Sequence, residues 1–303
     1  MAITGGMLGA SHTTSTADDF VPEVWADGIY KYFERGTVFR SLVEDYSALV
    51  GGFGDTVNIP EITLKTADDK AVNTLVTYDA TDTTTTQLSI DKHKYNAMLF
   101  EDLLMIQSNA DLVAKYTEMM GEALARALDS DIWTALQGMS NNFALASDDA
   151  ISDGKFQDML ASLGANEVPY MDGDCAMVVN PTLMADILDP SAGITRNFWR
   201  ADAGGGNAGN VLTQGGTKGF MGKLFGIDVY MSHAISSGGT TTTKPGAIFH
   251  KSACVVAIQQ DVRVQAEYAI DALGTKVVAD TVYGVKCIDS ASNVKGLYFK
   301  NVT

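Results

Sequence analysis

The sequence predicts a mixed α+β fold, and three stretches carry that prediction. Residues 108–138 hold an apolar row with helical spacing, 56–62 and most of the chain after 246 alternate with period two, and 175–190 reads as a buried strand followed by a capped helix.

Taken in order, the start "MAITGGMLGASHTTSTADDF" is small and polar; without a basic start or an apolar core it reads as a flexible arm rather than a signal peptide. In residues 20–50 a Pro turn precedes Trp25, Ile29 and Phe33, which are four apart and share one face of a short amphipathic helix. Such a helix needs a surface to lie against. Next comes "LVGGFGDTVNIPEI", with Val57 and Ile59 alternating against Thr56, Asn58 and Pro60. A matching run, "TTQLSIDKHKYNAMLF", puts Leu88 and Ile90 on one face. The connecting segment is rich in Thr and Asp, with few large apolar groups, and two strands with so polar a link cannot bury a core of their own. A long hairpin that docks on another chain is expected.

"SNADLVAKYTEMMGEALARALDSDIWTALQG" is the strongest helix signal. Ser108 can cap it, Asp111 stands near its start, and Tyr116, Met120, Leu124, Leu128, Ile132 and Leu136 form the row, with Gly138 as a stop. About 28 residues make a rod of roughly 42 Å. A second helix follows in "SDGKFQDMLASLGANEVPY", with Phe156, Met159, Leu160 and Leu163 inward and Gly164 ending it. "CAMVVN" is a buried strand, and Asn180, Pro181 and Pro190 bracket a third helix. A Gly-rich loop spans 189–219, then "KLFGIDVYMS" reads as a strand, "KSACVVAIQQ" as a short helix, and "VRVQAEYAI", "TKVVADTVYGVKCIDS" and "VKGLYFK" as strands.

Composition excludes several functions. Of 303 residues 46% are hydrophobic, enough for a substantial core, yet no apolar run approaches a membrane span. The net charge of −16, from 21 basic and 37 acidic residues, argues against a surface that grips nucleic acid. The basic cluster "DKHKY" at 91–95 is small. The 3 cysteines form no CxxC and read as reduced, partly buried thiols.

No chemistry emerges from the motifs. The glycines of 51–54 follow a helix and precede a strand, the reverse of a dinucleotide loop. "GGTKGFMGKLFG" has Leu224 where a P-loop needs Ser or Thr, and Thr217 where its first glycine belongs. His250 near Ser252 and Cys254 reads as a capping histidine, Glu101 and Asp102 as the entry to the long helix, and "DGD" at 172–174 lacks the rest of a calcium loop. No catalytic residue, cofactor or metal is expected.

The order of these elements resembles the tailed-bacteriophage major capsid proteins of the Hong Kong 97-type fold. The resemblance lies in "EVWADGIYKYFERGTVFRSLVED" as N-arm, "GDTVNIPEI" to "LSIDKHKYNAMLFEDL" as extended loop, and 108–138 as spine helix. It continues in "VVNPTLMADILD", "GKLFGIDVYMSHAI", "DVRVQAEYAI" and "TVYGVKCIDSASNVKGL", and covers roughly residues 20 to 303. It implies an N-terminal arm (1–50), an extended hairpin loop (51–100), a peripheral domain with the spine helix (101–150), an axial domain (151–245) and closing strands shared by both (246–303).

It further implies an icosahedral shell of hexamers and pentamers of self, assembled in the bacterial host cytoplasm, enclosing double-stranded DNA without sequence-specific binding. A portal protein and a scaffolding protein are implied partners, the latter as a separate chain, and there is room for a decoration protein. Some relatives crosslink a loop lysine to a neighbour's asparagine; Lys65 and Lys70 stand in the loop, but no motif assigns a partner. The acidic charge suits a wall that does not hold DNA. Inter-subunit contact is expected from Trp25, Ile29 and Phe33, at about 1.5–3 kcal/mol each through apolar burial. Lys92 and Lys94 are expected to pair with acidic groups next door, at no more than about 1 kcal/mol per exposed pair. The alternatives are an encapsulin-type compartment that holds enzyme cargo, a Thr-rich surface protein and, last, an enzyme.

Overall fold

The computed structural model describes residues 37–50, 54–62, 67–78, 83–103, 112–145, 151, 153–188, 219–235, 244–290 and 293–301. Trp25, Ile29, Phe33, the Ser108 and Asp111 cap, Lys65, Pro190 and the Gly-rich loop lie outside them.

Among the described residues twelve strands and three α-helices run in the order β1 (Glu44–Asp45), β2 (Thr56–Ile62), β3 (Thr83–Ser89), β4 (Lys92–Glu101), α1 (Leu112–Leu136), β5 (Asn142–Leu145), α2 (Asp153–Ala165), β6 (Cys175–Val179), α3 (Pro181–Leu188), β7 (Phe220–Leu224), β8 (Ile227–Met231), β9 (Gly246–His250), β10 (Cys254–Ala269), β11 (Gly274–Cys287) and β12 (Gly296–Asn301). They form a four-stranded sheet in the order β1-β10-β11-β4, a six-stranded sheet in the order β5-β12-β9-β6-β8-β7, and the β2–β3 ribbon. This is the α+β fold expected.

The long helix stands as read. Met120, Leu124, Leu128, Ile132 and Leu136 are all buried. Its first turns pack with Phe100, Val277 and Ala279 on the four-stranded sheet. Its last turns join Phe39, Phe249, Tyr283 and Tyr298 in a core that both large sheets share. At 25 residues it is about 38 Å long. The cap of α3 also stands: Asn180 Oδ1 accepts from the Leu183 N–H at 2.7 Å. A second core lies between α2, α3 and the six-stranded sheet.

Several expectations are corrected. The run 85–100 is two strands: β3 pairs with β2, but β4 leaves the ribbon and pairs with β11 from Glu101↔Gly274 to Lys92↔Tyr283. "KSACVVAIQQ" is not a helix. Only Lys251–Ala253 make a 3-10 turn, and Cys254 to Ile258 then pair in register with Cys287 to Tyr283. The β-branched Val255 and Val256, wholly buried, suit the sheet. "KLFGIDVYMS" is the hairpin β7–β8, turned by Phe225 and Gly226 at φ 52° and 89°, the positive angles of a primed two-residue turn. Helix α2 runs to Ala165 and is closed by Glu167, φ 57°, rather than by Gly164. The Val168 N–H bonds Leu163 O and the Glu167 N–H bonds Gly164 O, the Schellman pattern with Glu167 in the left-handed place. Val38, Phe39, Val43 and Val50, just before the ribbon, are buried.

Candidate functional site

The ribbon is held at its base and bare at its tip. Val57↔Leu88 and Ile59↔Thr86 face inward, and Leu88 packs with Val50, Val255, Ala257 and Ile288. The Ile90 N–H bonds Asp55 O at 2.8 Å, Gln259 Nε2 donates to Gly54 O at 2.9 Å, and Asn293 Nδ2 donates to Glu61. Beyond the strands, Val72, Leu75 and Tyr78 are 91%, 96% and 93% exposed. Single exposed apolar residues are ordinary, but three nearly bare ones within seven residues are unusual.

Lys92 and Lys94 alternate on the face of β4 that looks at α1, because residues two apart on a strand share a side. The structure brings both onto one acid of the same chain: their Nζ atoms lie 3.3 and 3.4 Å from Asp131 Oδ2. The Tyr283 hydroxyl donates to the same oxygen at 2.8 Å. Burial and then this carboxylate push the Tyr283 phenol far up, so it stays a donor. The lysine side chains remain 30% and 42% exposed, leaving ammonium N–H groups for a further acidic partner.

On the opposite face of the sheet, Asp280 gathers a second cluster. Arg263 grips it with two bonds, Nε to Oδ1 at 3.1 Å and Nη2 to Oδ2 at 2.8 Å, and Gln260 Nε2 donates at 3.1 Å. His93 Nε2 also lies 3.1 Å from Oδ2. The Arg263 bonds, then that of His93, hold the carboxyl down at about 2. The register shifts of β10 between Ile258 and Arg263 bring Gln260 and Arg263 onto the one acid.

A third carboxylate anchors the incoming arm. Asp129 Oδ2 accepts from the Val38 N–H at 2.6 Å. Burial raises the Asp129 pKa, and the N–H groups of Val38, Phe39 and Arg40 oppose that rise. They are the free donors at the start of the 3-10 turn Phe39–Leu42.

Sequence reasoning missed Asp129, Asp131, Asp280 and the bare residues of the tip. A signal existed for Asp129 and Asp280, since each is an acid set among apolar residues of a helix or strand that the core requires.

Among the described residues no group of three or more His, Cys, Asp or Glu could hold a metal ion, and no helix is long and apolar enough to cross a membrane. Among the described residues, two large sheets pack with the long helix, and the segment between β2 and β3 carries bare apolar side chains. The family model described as "Phage capsid protein" matches residues 82–296, and the chain belongs to that family. No curated protein matches it.

Among solved structures it is similar to a chain of Mycobacterium phage Che8, with 26% identity over 92% of this chain and 97% of that one and a TM-score of 0.75. It shares its fold with the capsid of cyanophage P-SCSP1u (16% identity, 100% of both chains, TM-score 0.66) and with the capsid of Ralstonia phage GP4 (11%, 98% of both, 0.65). The fold is thus the Hong Kong 97-type capsid fold, and the protein is a phage major capsid component of the virion, not an enzyme.

Proposed function

We propose that this chain builds the icosahedral head of a tailed double-stranded DNA phage as hexamers and pentamers, and that the β2–β3 ribbon makes the decisive contact by lying over an adjacent copy. The observation that carries the reading is the nearly complete exposure of Val72, Leu75 and Tyr78 in a member of the phage capsid family.

The working division is an arm at 1–50, an extended loop at 51–100, a peripheral domain at 101–150, an axial domain at 151–245 and shared closing strands at 246–303. Trp25, Ile29 and Phe33 bury the arm against a neighbour, and Lys92 and Lys94 reach a neighbour's acid with the N–H groups that Asp131 does not use. Scaffolding and portal proteins set curvature and the entry vertex, and a decoration protein has the outer surface open to it. Assembly takes place in the host cytoplasm. The net charge of −16 keeps packaged DNA off the wall.

Expression with and without a scaffolding protein, followed by electron microscopy, tests this reading. Closed shells with six- and five-fold capsomers support it; a discrete small oligomer under every condition overturns it. The same particles separate the encapsulin-type alternative, which predicts co-purified protein cargo in place of DNA.

A further inference from the structure

Cys254 and Cys287 are direct cross-strand partners at the base of the β10–β11 hairpin. The pairing is of the close kind. The Ile288 N–H bonds Ala253 O at 2.9 Å, so the ladder bond falls on the flanking pair and Cys254↔Cys287 is the non-hydrogen-bonded pair. In such pairs the Cα atoms are about 4.5 Å apart and the side chains lean together. A disulfide accepts Cα separations of about 4.4–6.8 Å. Both side chains enter the same shared core. Cys254 is buried, whereas Cys287 is half-buried and lines an open cavity of about 570 Å³ with Lys92, Lys286 and Asp289.

We propose that Cys254 and Cys287 are a modification site, which closes to an intrachain disulfide when the protein meets a small-molecule disulfide oxidant. Cys287 gives up its proton, attacks one sulfur of the oxidant from the cavity, and expels the other half as a thiolate. Cys254, on losing its own proton, attacks the Cys287 sulfur of the mixed disulfide and expels the second thiolate. Two protein thiols become one S–S bond and the oxidant becomes two thiols, so electrons balance. Burial, with the Asp289 charge, raises the Cys287 pKa, while the Asp289 backbone N–H and the Lys286 and Lys295 charges act the other way. Cys254 has burial and the neighbouring sulfur against ionisation, with only the Val255 backbone N–H in its favour, and it has no opening to solvent. The first attack therefore belongs to Cys287. Cys175 is buried among α2, α3 and the six-stranded sheet, outside the core the pair shares, and takes no part. The chemistry is slow in a reducing cytoplasm and favoured outside it, and the bond staples the base of the longest hairpin.

The experiment uses the full chain, hydroxyethyl disulfide as oxidant, then alkylation and a non-reducing tryptic map. The expected product is a linked pair of peptides, 252–263 to 287–295, with Cys175 alkylated, and a rise in Tm that dithiothreitol reverses. Cys175→Ser should keep both the link and the rise; Cys287→Ser should lose both. Alkylation of Cys254 and Cys287 as free thiols after prolonged oxidation overturns the proposal, as does a stable mixed disulfide on Cys287 with Cys254 still free.

Discussion

Gly284 of β11 touches the backbone of Ser89. A Cβ added at Gly284 would collide with the Ser89 carbonyl oxygen, and would stand 3.1 Å from the Ile90 Cα. The missing side chain lets the chain cross from β3 to β4 directly over the sheet. Gly284→Ala must therefore lift the base of the ribbon or bend β11. We expect a loss of about 1–3 kcal/mol, the usual cost of overpacking, in urea unfolding, with faster amide exchange at 86–91. Gly284→Val should be worse. Unchanged exchange in that segment would contradict the contact.

Asp280 and Asp129 should respond to acid in opposite directions. The Asp280 carboxyl is held at about 2, below its ordinary 3.8, first by Arg263. Its contribution to stability is complete above the unfolded value and lost as pH falls from about 4 toward 2. Asp129 has a raised pKa through burial, so its charge is penalised in the folded state. That penalty is relieved as pH falls through the folded value. Unfolding free energy measured against pH should lose its steepest acid slope in Asp280→Asn. In Asp129→Asn it should change little at pH 7, because the amide still offers an acceptor oxygen. Asp129→Ala leaves the N–H groups of the arm unsatisfied and should cost about 1–3 kcal/mol.

The end of α2 provides a test of backbone chemistry alone. Glu167 occupies the left-handed region at φ 57°, where a non-glycine residue costs about 1–2 kcal/mol. Glu167→Gly should raise Tm. Gly164 is helical with its nearest neighbour, a Tyr170 ring carbon, at 4.0 Å, so Gly164→Ala should add about 0.5–1 kcal/mol. If the helix ended at Gly164, the second change would destabilise instead.

Lys92 and Lys94 already serve Asp131 within the chain, and each exposed pair is worth at most about 1 kcal/mol. Lys94→Gln should leave the unfolding of the isolated chain nearly unchanged while particle yield falls most steeply in raised salt. If even Lys92→Glu with Lys94→Glu leaves yield and salt tolerance intact, neither lysine reaches a neighbour.

What the sequence makes legible follows from how local each signal is. The row from Tyr116 to Leu136 holds its four-residue spacing over six positions, and that has one physical meaning. Asn180-Pro181 is a complete helix start in two residues. By contrast, Lys251 to Gln260 mixes helix-forming Ala and Gln with Val-Val, and only the partner strand from Cys287 to Tyr283 decides between them. Phe225 hides the β7–β8 turn, since a bulky residue at positive φ is no turn signal. Its ring stacks on Phe156 at 5.5 Å, a long-range contact that holds it there. The basic cluster at 91–95 is visible in sequence, yet nothing local says that Asp131 and Asp280 receive its two faces.

The central claim is that the apolar tip of the ribbon is covered by another copy. Sedimentation velocity of the full chain, expressed with and without a scaffolding protein, beside the triple variant Val72→Ser, Leu75→Ser and Tyr78→Ser, tests it most directly. These side chains are bare in the single chain, so the variant should keep the wild-type Tm while its shell peak vanishes into free subunits. A variant that forms shells in the same yield as the wild type would contradict the account.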